Sequence, residues 1–482
     1  MNHGIIVTEQ DEITQSQQNT TSGIPVVFGT APVHMVENPE AVVNRPVLVS
    51  SMTEAKEKLG YSEDFEKYTL CQMMKMAFDV FKVAPVIFVN VLDTEKHSVQ
   101  FNQKNVTVSN KRGCISVEGC LANDITVSLA DGTELKKDTE YITTRDGETV
   151  YITLLGENAE SIQELNVSGK KVDASLVTKL DVIGGYNADT GEETGLELVR
   201  MVYPMLGIVP SLLAAPGFSH IPEVAAVLAA KCEEINGCFT AECILDLDTE
   251  EYTKYSDVEK AKEKLGCLSR HAYGVWPMAK KDGLIIYGSA VVAALTQYTD
   301  AANENMANLS PSNKDAKIDA AVLKDGTEIL LDFIQADFIN NVGIGTFLNI
   351  NGWKLWGNAT MAFPLDKKQK AKFWCVRRFF TWRSNNFITT YLTKIDLTGN
   401  TKLLESVCDE ENIQCNALVA KGVCAKAAIE FLAEDNTVES LADGKFKFRQ
   451  VYAPFSPAQI FENIMSIDIE SVKAVLTLGG NE

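Results

Sequence analysis

Apolar residues in this chain come mostly as short unbroken runs, separated by stretches in which they recur at helical spacing. Ile24 to Thr30 (IPVVFGT), Val86 to Leu92 (VIFVNVL), Ser211 to Ala215 and Thr240 to Leu247 are such runs, and they predict strands buried on both faces. Between them, helices are expected over 53–58, behind a Ser51 or Thr53 cap and ahead of Gly60, and over Asp64 to Lys82. In the second, Leu70, Met73, Met74, Ala77, Val80 and Phe81 share one side. Further helices are expected over Leu196–Met205, Pro222–Asn236, Ser289–Asn305 and Leu331–Asn341, with a strand at Leu284–Tyr287. Strands and helices alternating in this way predict a mostly parallel sheet.

Residues 94–181 break the pattern. They are rich in Thr, Val, Gly and Asp, in alternating runs such as NVTVSN and TVYITLL, with turn signals at Asp131-Gly132 and Asp146-Gly147. The α/β texture resumes at Asp181 (DVIGGYN), so a small β-domain is inserted into an α/β domain. The expected fold class is therefore α/β multidomain. An α/β domain (23–93 and 182–343) carries the β-rich insertion (94–181), and an α+β C-terminal domain (344–452) follows. Extended arms lie at 1–22 and 453–482. In the C-terminal domain a strand enters NINGWKLWGNAT, and a basic aromatic stretch from Lys367 to Arg383 leads into helical patterning from about Phe387. After Lys421 the chain reads as strand, short helix, and strand (Lys445–Gln450).

Both ends read as strands on tethers. Ile5-Ile6-Val7 is followed by the polar TEQDEITQSQQNTTS, too poor in apolar residues to order itself. At the other end, Pro454 and Pro457 block a helix. Beyond them Phe461, Met465, Ile467 and Ile469 alternate with Glu462, Ser466, Asp468 and Glu470, interrupted once at Asn463-Ile464. That is the period of a half-buried strand that needs a partner.

A net charge of −21 argues against a nucleic-acid protein. The one basic cluster, Lys367, Lys368, Lys370, Lys372, Arg377 and Arg378, is interleaved with Phe373, Trp374, Phe379, Phe380 and Trp382. Single-stranded nucleic acid is bound by such residues, but with no other basic patch a surface facing an acidic protein is the preferred reading. Eleven scattered cysteines without a CxxC spacing read as reduced core residues. No charged start followed by a long apolar stretch is present, so no secretory signal is expected. Met201–Phe218 is uncharged but holds Pro204, Pro210 and Pro216, and is not read as a membrane segment.

No Walker A, GxSxG, HExxH or GxGxxG motif occurs, and the five histidines are isolated from one another. Asn187–Glu193 (NADTGEE) matches a calcium loop only loosely. The best enzymatic candidate is the pair Asp246 and Asp248 at the end of a predicted strand, where α/β folds place ligands. There a divalent cation and a nucleotide-sugar phosphate would make a metal-dependent transferase. A solvated strand-to-loop turn, with Thr249, Glu250 and Glu251 continuing the acidity, is the preferred reading of the same residues. No cofactor is expected.

Several stretches, in order along the chain, resemble the contractile tail sheath family of bacteriophages and related injection machines. They are GIIVTEQ with SGIPVVFGTAP, DVIGGYNADTGEETGLELV, LLAAPGFSHIPEVAAVLAAKCEEINGCFTAECILDLD, NGWKLWGNAT, WRSNNFITTYL, GKFKFRQVYAP and PAQIFENIMSIDIE. Ala359 stands where the family's tryptophan-glycine-asparagine segment is associated with an arginine. The resemblance implies a non-enzymatic structural subunit of a virion tail, assembled in the host bacterial cytoplasm as stacked six-fold rings around a tail tube. Contraction would drive that tube through a target envelope. The implied partners are other copies, the tube protein, and baseplate and tail terminator proteins, with no direct nucleic-acid contact and no membrane insertion. It also implies that Ile5–Val7 and the Phe461, Met465, Ile467, Ile469 face add strands to a neighbouring copy's sheet. The Lys367–Arg378 cluster is the candidate tube-facing surface.

Overall fold

The computed structural model describes residues 18–19 and 22–478. Its centre is an eight-stranded sheet in the order Trp353–Trp356, Ile344–Asn349, Ala272–Val275, Glu242–Asp246, Leu212–Ala214, Pro25–Gly29, Val86–Asn90 and Pro46–Val49. The six inner strands run parallel and the two edge strands antiparallel. Side-chain alternation sends neighbouring residues to opposite cores. Val27, Phe88 and Ile244 pack under the Gly288–Ala302 helix on one face. Val26, Phe28, Ile87 and Leu245 pack under Pro222–Glu233 and Val258–Leu265 on the other. Covering both faces is what the unbroken apolar strands require.

Local capping agrees with the sequence at Met52–Leu59. Ser51 Oγ accepts the Glu54 amide at 3.2 Å, and Gly60, at φ 76°, ends the helix. Three expectations are corrected. The Asp64–Lys82 segment becomes helical only at Leu70 and passes into a π-helical turn over Lys75–Phe81. Leu196–Met205 opens as a 3-10 helix, Gly195–Met201, before the α-helix Val202–Leu206. The helix expected from Phe387 begins at Trp374.

Residues 98–172 build a separate six-stranded antiparallel sheet around Val106, Ile115, Val127, Val150, Ile152, Leu165 and Val167. Strands Ile344–Asn349 and Trp353–Trp356 extend the central sheet, so its hydrogen bonding continues past residue 343. Beyond them the chain folds as the helices Trp374–Tyr391 and Thr401–Ala420. An antiparallel pair of strands, Cys424–Glu430 and Arg449–Pro454, packs against the second helix. No helix among the described residues is long and apolar enough to cross a membrane.

Candidate functional site

The strand Arg449–Pro454 hands the chain to its last described segment, and three side chains hold the junction. Gln369 Nε2 donates to the Pro454 carbonyl at 3.0 Å and to Ser456 Oγ at 2.8 Å. Lys372 Nζ donates to Gln459 Oε1 at 3.2 Å, and Gln459 Nε2 to Asn358 Oδ1 at 3.1 Å. After Gln459 the segment leaves the body. Phe461 is 92% exposed, and Ile460, Ile464, Met465 and Ile467 are almost as bare. Soluble chains rarely expose so contiguous an apolar run without a use for it.

Phe461, Met465 and Ile467 lie in this stretch, which forms no strand and pairs with no sheet edge among the described residues. Ile469 is the first residue of a helix, Ile469–Leu478, which corrects the strand expected over it. Asp468 caps that helix by accepting the Ser471 amide at 3.1 Å. Ile469, Val472 and Leu476 then fall at helical spacing, a competing period that the alternation before them obscured. Ile5, Ile6 and Val7 lie outside the described residues. Cys424–Glu430 and Arg449–Pro454 have only each other as strand partners among the described residues. Their outer backbone groups are thus a template for a further strand.

The basic cluster is split by the helix that contains it. Lys367, Lys368 and Lys370 are exposed and Lys372 half-buried, whereas Arg377 and Arg378 are 7% and 3% exposed. These two arginines therefore do not share the exposed basic surface of Lys367, Lys368 and Lys370. Trp374, Arg377, Arg378 and Thr381 share the helix face turned to the α/β body. Arg378 clamps Asp300 of the Gly288–Ala302 helix with both guanidinium nitrogens, Nη1 lying 3.0 Å from Oδ1. Burial pushes the Asp300 carboxyl up, and Arg378 opposes that shift. Arg377 Nε lies 3.6 Å from Glu242 Oε1, which also accepts the Thr381 hydroxyl. Arg383 pairs with the buried Glu411, which accepts Gln450 Nε2 at 2.8 Å as well. These pairs fasten the two C-terminal helices and the strand pair to the central sheet. A helical period read through WCVRRFF would have placed Arg378 beside Trp374.

The acidic pair is also separated. Asp246 is 2% exposed at the end of its strand, and its carboxylate accepts the hydroxyls of Ser219 and Ser289 and the Ser289 amide at 2.7 Å. Asp248 instead accepts the Glu250 amide at 2.8 Å in an exposed turn. Because one carboxylate is sealed beneath a helix start and the other faces solvent, no two-carboxylate metal site forms. Among the described residues no group of three His, Cys, Asp or Glu could hold a metal ion. The transferase reading therefore finds no support at these two residues. His220, beside this strand end, stacks on Tyr287 with ring centroids 5.9 Å apart, and burial lowers its pKa.

Burial pushes the Asp246 carboxyl up to about 6, although its hydrogen bonds pull the other way. The folded chain therefore binds more protons here than the unfolded chain between about pH 4 and 6, and this contribution is lost as pH rises through 6. Relative to Asp246→Asn, the wild type should gain about 1 kcal/mol on going from pH 7 to pH 5. Urea unfolding of both proteins at the two pH values measures it, and parallel curves would refute the assignment.

No protein-family model matches the sequence. The chain is 31% identical over 190 residues to a putative prophage major tail sheath protein of Pseudomonas aeruginosa, covering 38% of this chain and 46% of that relative. It is 23% identical over 310 residues to the tail sheath protein of Escherichia phage P2, covering 61% of this chain and 72% of the relative. The chain thus spans less than half the length of the first of these relatives. The fold resembles a chain of the six-fold symmetrised anti-feeding prophage baseplate, with TM-score 0.58 and 12% identity over 96% of this chain and 98% of that one. It also resembles a chain of the PVC sheath complex, an extracellular contractile injection system in the contracted state. There the TM-score is 0.57 and the identity 13% over 98% and 99% of the two chains.

Proposed function

We propose, the chain being a member of the contractile tail sheath family, that it is the structural subunit of a tail sheath. It would polymerise helically around a tail tube, in stacked six-fold rings seated on a baseplate, and contract to drive the tube through a target envelope. The observation that carries this reading is the bare apolar segment beyond Gln459, which the other described residues of the same copy leave uncovered. Phe461, Met465 and Ile467, with the helix that starts at Ile469, would dock on a neighbour. Ile5–Val7 would be donated in the same way, and the open strand pair Cys424–Glu430 and Arg449–Pro454 would receive the added strands. Work is then stored in the difference between two packings of the same subunits, with no ligand to hydrolyse. Of the basic cluster, Lys367 and Lys368 are the exposed lysines that neither a ring nor the junction occupies, and they are what would face the tube. Assembly would take place in the host bacterial cytoplasm, ahead of incorporation into the tail.

Negative-stain microscopy of the purified chain tests the proposal. Long striated tubes are expected on concentration, and deletion of residues 1–20 should leave discrete particles. Discrete particles from the full chain at every concentration would refute it.

A further inference from the structure

A cleft of about 500 Å³ opens between the Trp374–Tyr391 helix, Arg270-His271 and the strand Arg449–Pro454. That is the size of a small-molecule site, and Arg270, Lys370, Arg377 and Arg383 all line it. Glu411 neutralises Arg383. Arg377 is met only in part: its buried Nε makes no hydrogen bond, and Glu242, 3.6 Å away, also accepts the Thr381 hydroxyl. Arg270 and Lys370 form no ion pair among the described residues, although Glu233 shares the lining. Arg270 Nε instead donates to His271 Nε2 at 3.4 Å, and Lys370 Nζ lies 4.2 Å from the centre of the Phe380 ring. Burial, and then repulsion from Arg377 and Arg270, holds the Lys370 amine below its ordinary value. Three like charges thus crowd one cleft of a chain whose net charge is −21.

Neighbouring cations repel one another, and an anion between them removes that cost. The rest of the lining says which anion. Arg270 and Lys370 bring two charges that no carboxylate meets, which is the charge of a phosphate dianion at neutral pH. Guanidinium groups match phosphate oxygens in geometry as well as in charge. Thr240, in the same wall, buries its hydroxyl without a hydrogen-bond partner and so has a donor to give. A bare phosphate leaves much of 500 Å³ unused, and the remaining walls include the flat rings of Phe380 and Phe387. We propose that this cleft binds a phosphate dianion, alone or carried by a small molecule whose ring lies against Phe380, with Arg270, Lys370 and Arg377 holding the phosphoryl oxygens. Arg270 precedes the central strand Ala272–Val275, whereas Lys370 and Arg377 belong to the helices Gln369–Lys372 and Trp374–Tyr391. A bound phosphate therefore fastens the C-terminal helices to the α/β body. Nothing in this depends on the chain forming a sheath.

Titration calorimetry of the full chain with phenyl phosphate tests it. One molecule should bind saturably per chain, and Arg270→Gln with Lys370→Gln should weaken that binding about tenfold or more. Lys104→Gln with Lys402→Gln removes the same charge from exposed positions outside the cleft and should bind as the wild type does. All four residues are exposed, so both variants should keep their fold, and circular dichroism checks that. Inorganic phosphate should compete for the site. Weaker binding of it than of phenyl phosphate makes the ligand a ring-bearing monoester, and equal binding makes it phosphate itself. Absence of saturable binding, or equal losses in the two variants, would overturn the inference. So would a single-stranded oligonucleotide that displaces phenyl phosphate and binds more tightly, since the cleft would then be part of a nucleic-acid groove.

Discussion

A chain ended after Ser456 is expected to fold as the full chain does and to form no tubes. Among the described residues, the removed ones hydrogen-bond to the folded body through Gln459, and the apolar side chains from Ile460 on already lie mostly in water. Stability should therefore change by no more than about 0.5 kcal/mol, the range of ordinary surface changes. Assembly should respond very differently. Burying side chains such as Phe461, Met465, Ile467 and Ile469 between copies is worth about 1.5–3 kcal/mol each, and each 1.4 kcal/mol is about tenfold in affinity. Their loss raises the concentration needed for polymerisation by several orders of magnitude, which removes tubes from any practical preparation. Sedimentation of both chains over a concentration series reads the difference. Tubes from the shortened chain at ordinary concentrations would dismiss the segment as the coupling.

Arg378→Met should cost about 3–5 kcal/mol, the usual penalty for leaving one half of a buried ion pair alone. Asp300 is fully buried and has little room to move, because Gly23 approaches it closely enough that a Cβ there would lie 2.4 Å from Oδ2. The orphaned carboxyl would then prefer its neutral form. A raised folded pKa stabilises below that pKa and is lost above it, so the deficit should shrink as pH falls below neutrality. Pairing the change with Asp300→Leu should recover most of the loss, since an apolar pair needs no compensation. Urea unfolding of the single and double variants at neutral and mildly acid pH gives both results. A single variant as stable as the wild type would remove Arg378 from the set of groups that fasten the C-terminal helices to the body.

How much of this was legible beforehand depended on whether the deciding interaction was local. The central strands could be read because VIFVNVL and its companions carry their burial in their own composition, and the Ser51 cap because its partner is three residues away. Arg377 and Arg378 could not. In sequence they belong to a run of cations, and only helix phase together with the distant acids Glu242 and Asp300 turns them inward. Asp246 and Asp248 were separated in the same way, by a serine at the start of a helix more than forty residues on. The terminal segment stands between these cases. Its alternation and its two prolines mark it, without any structure, as a piece needing a partner, because a pattern of exposed apolar residues is a local fact. That it ends in a capped helix and leaves the body at Gln459 was decided by tertiary structure alone. Its direction is a property of the surrounding fold, set by side chains far away in sequence.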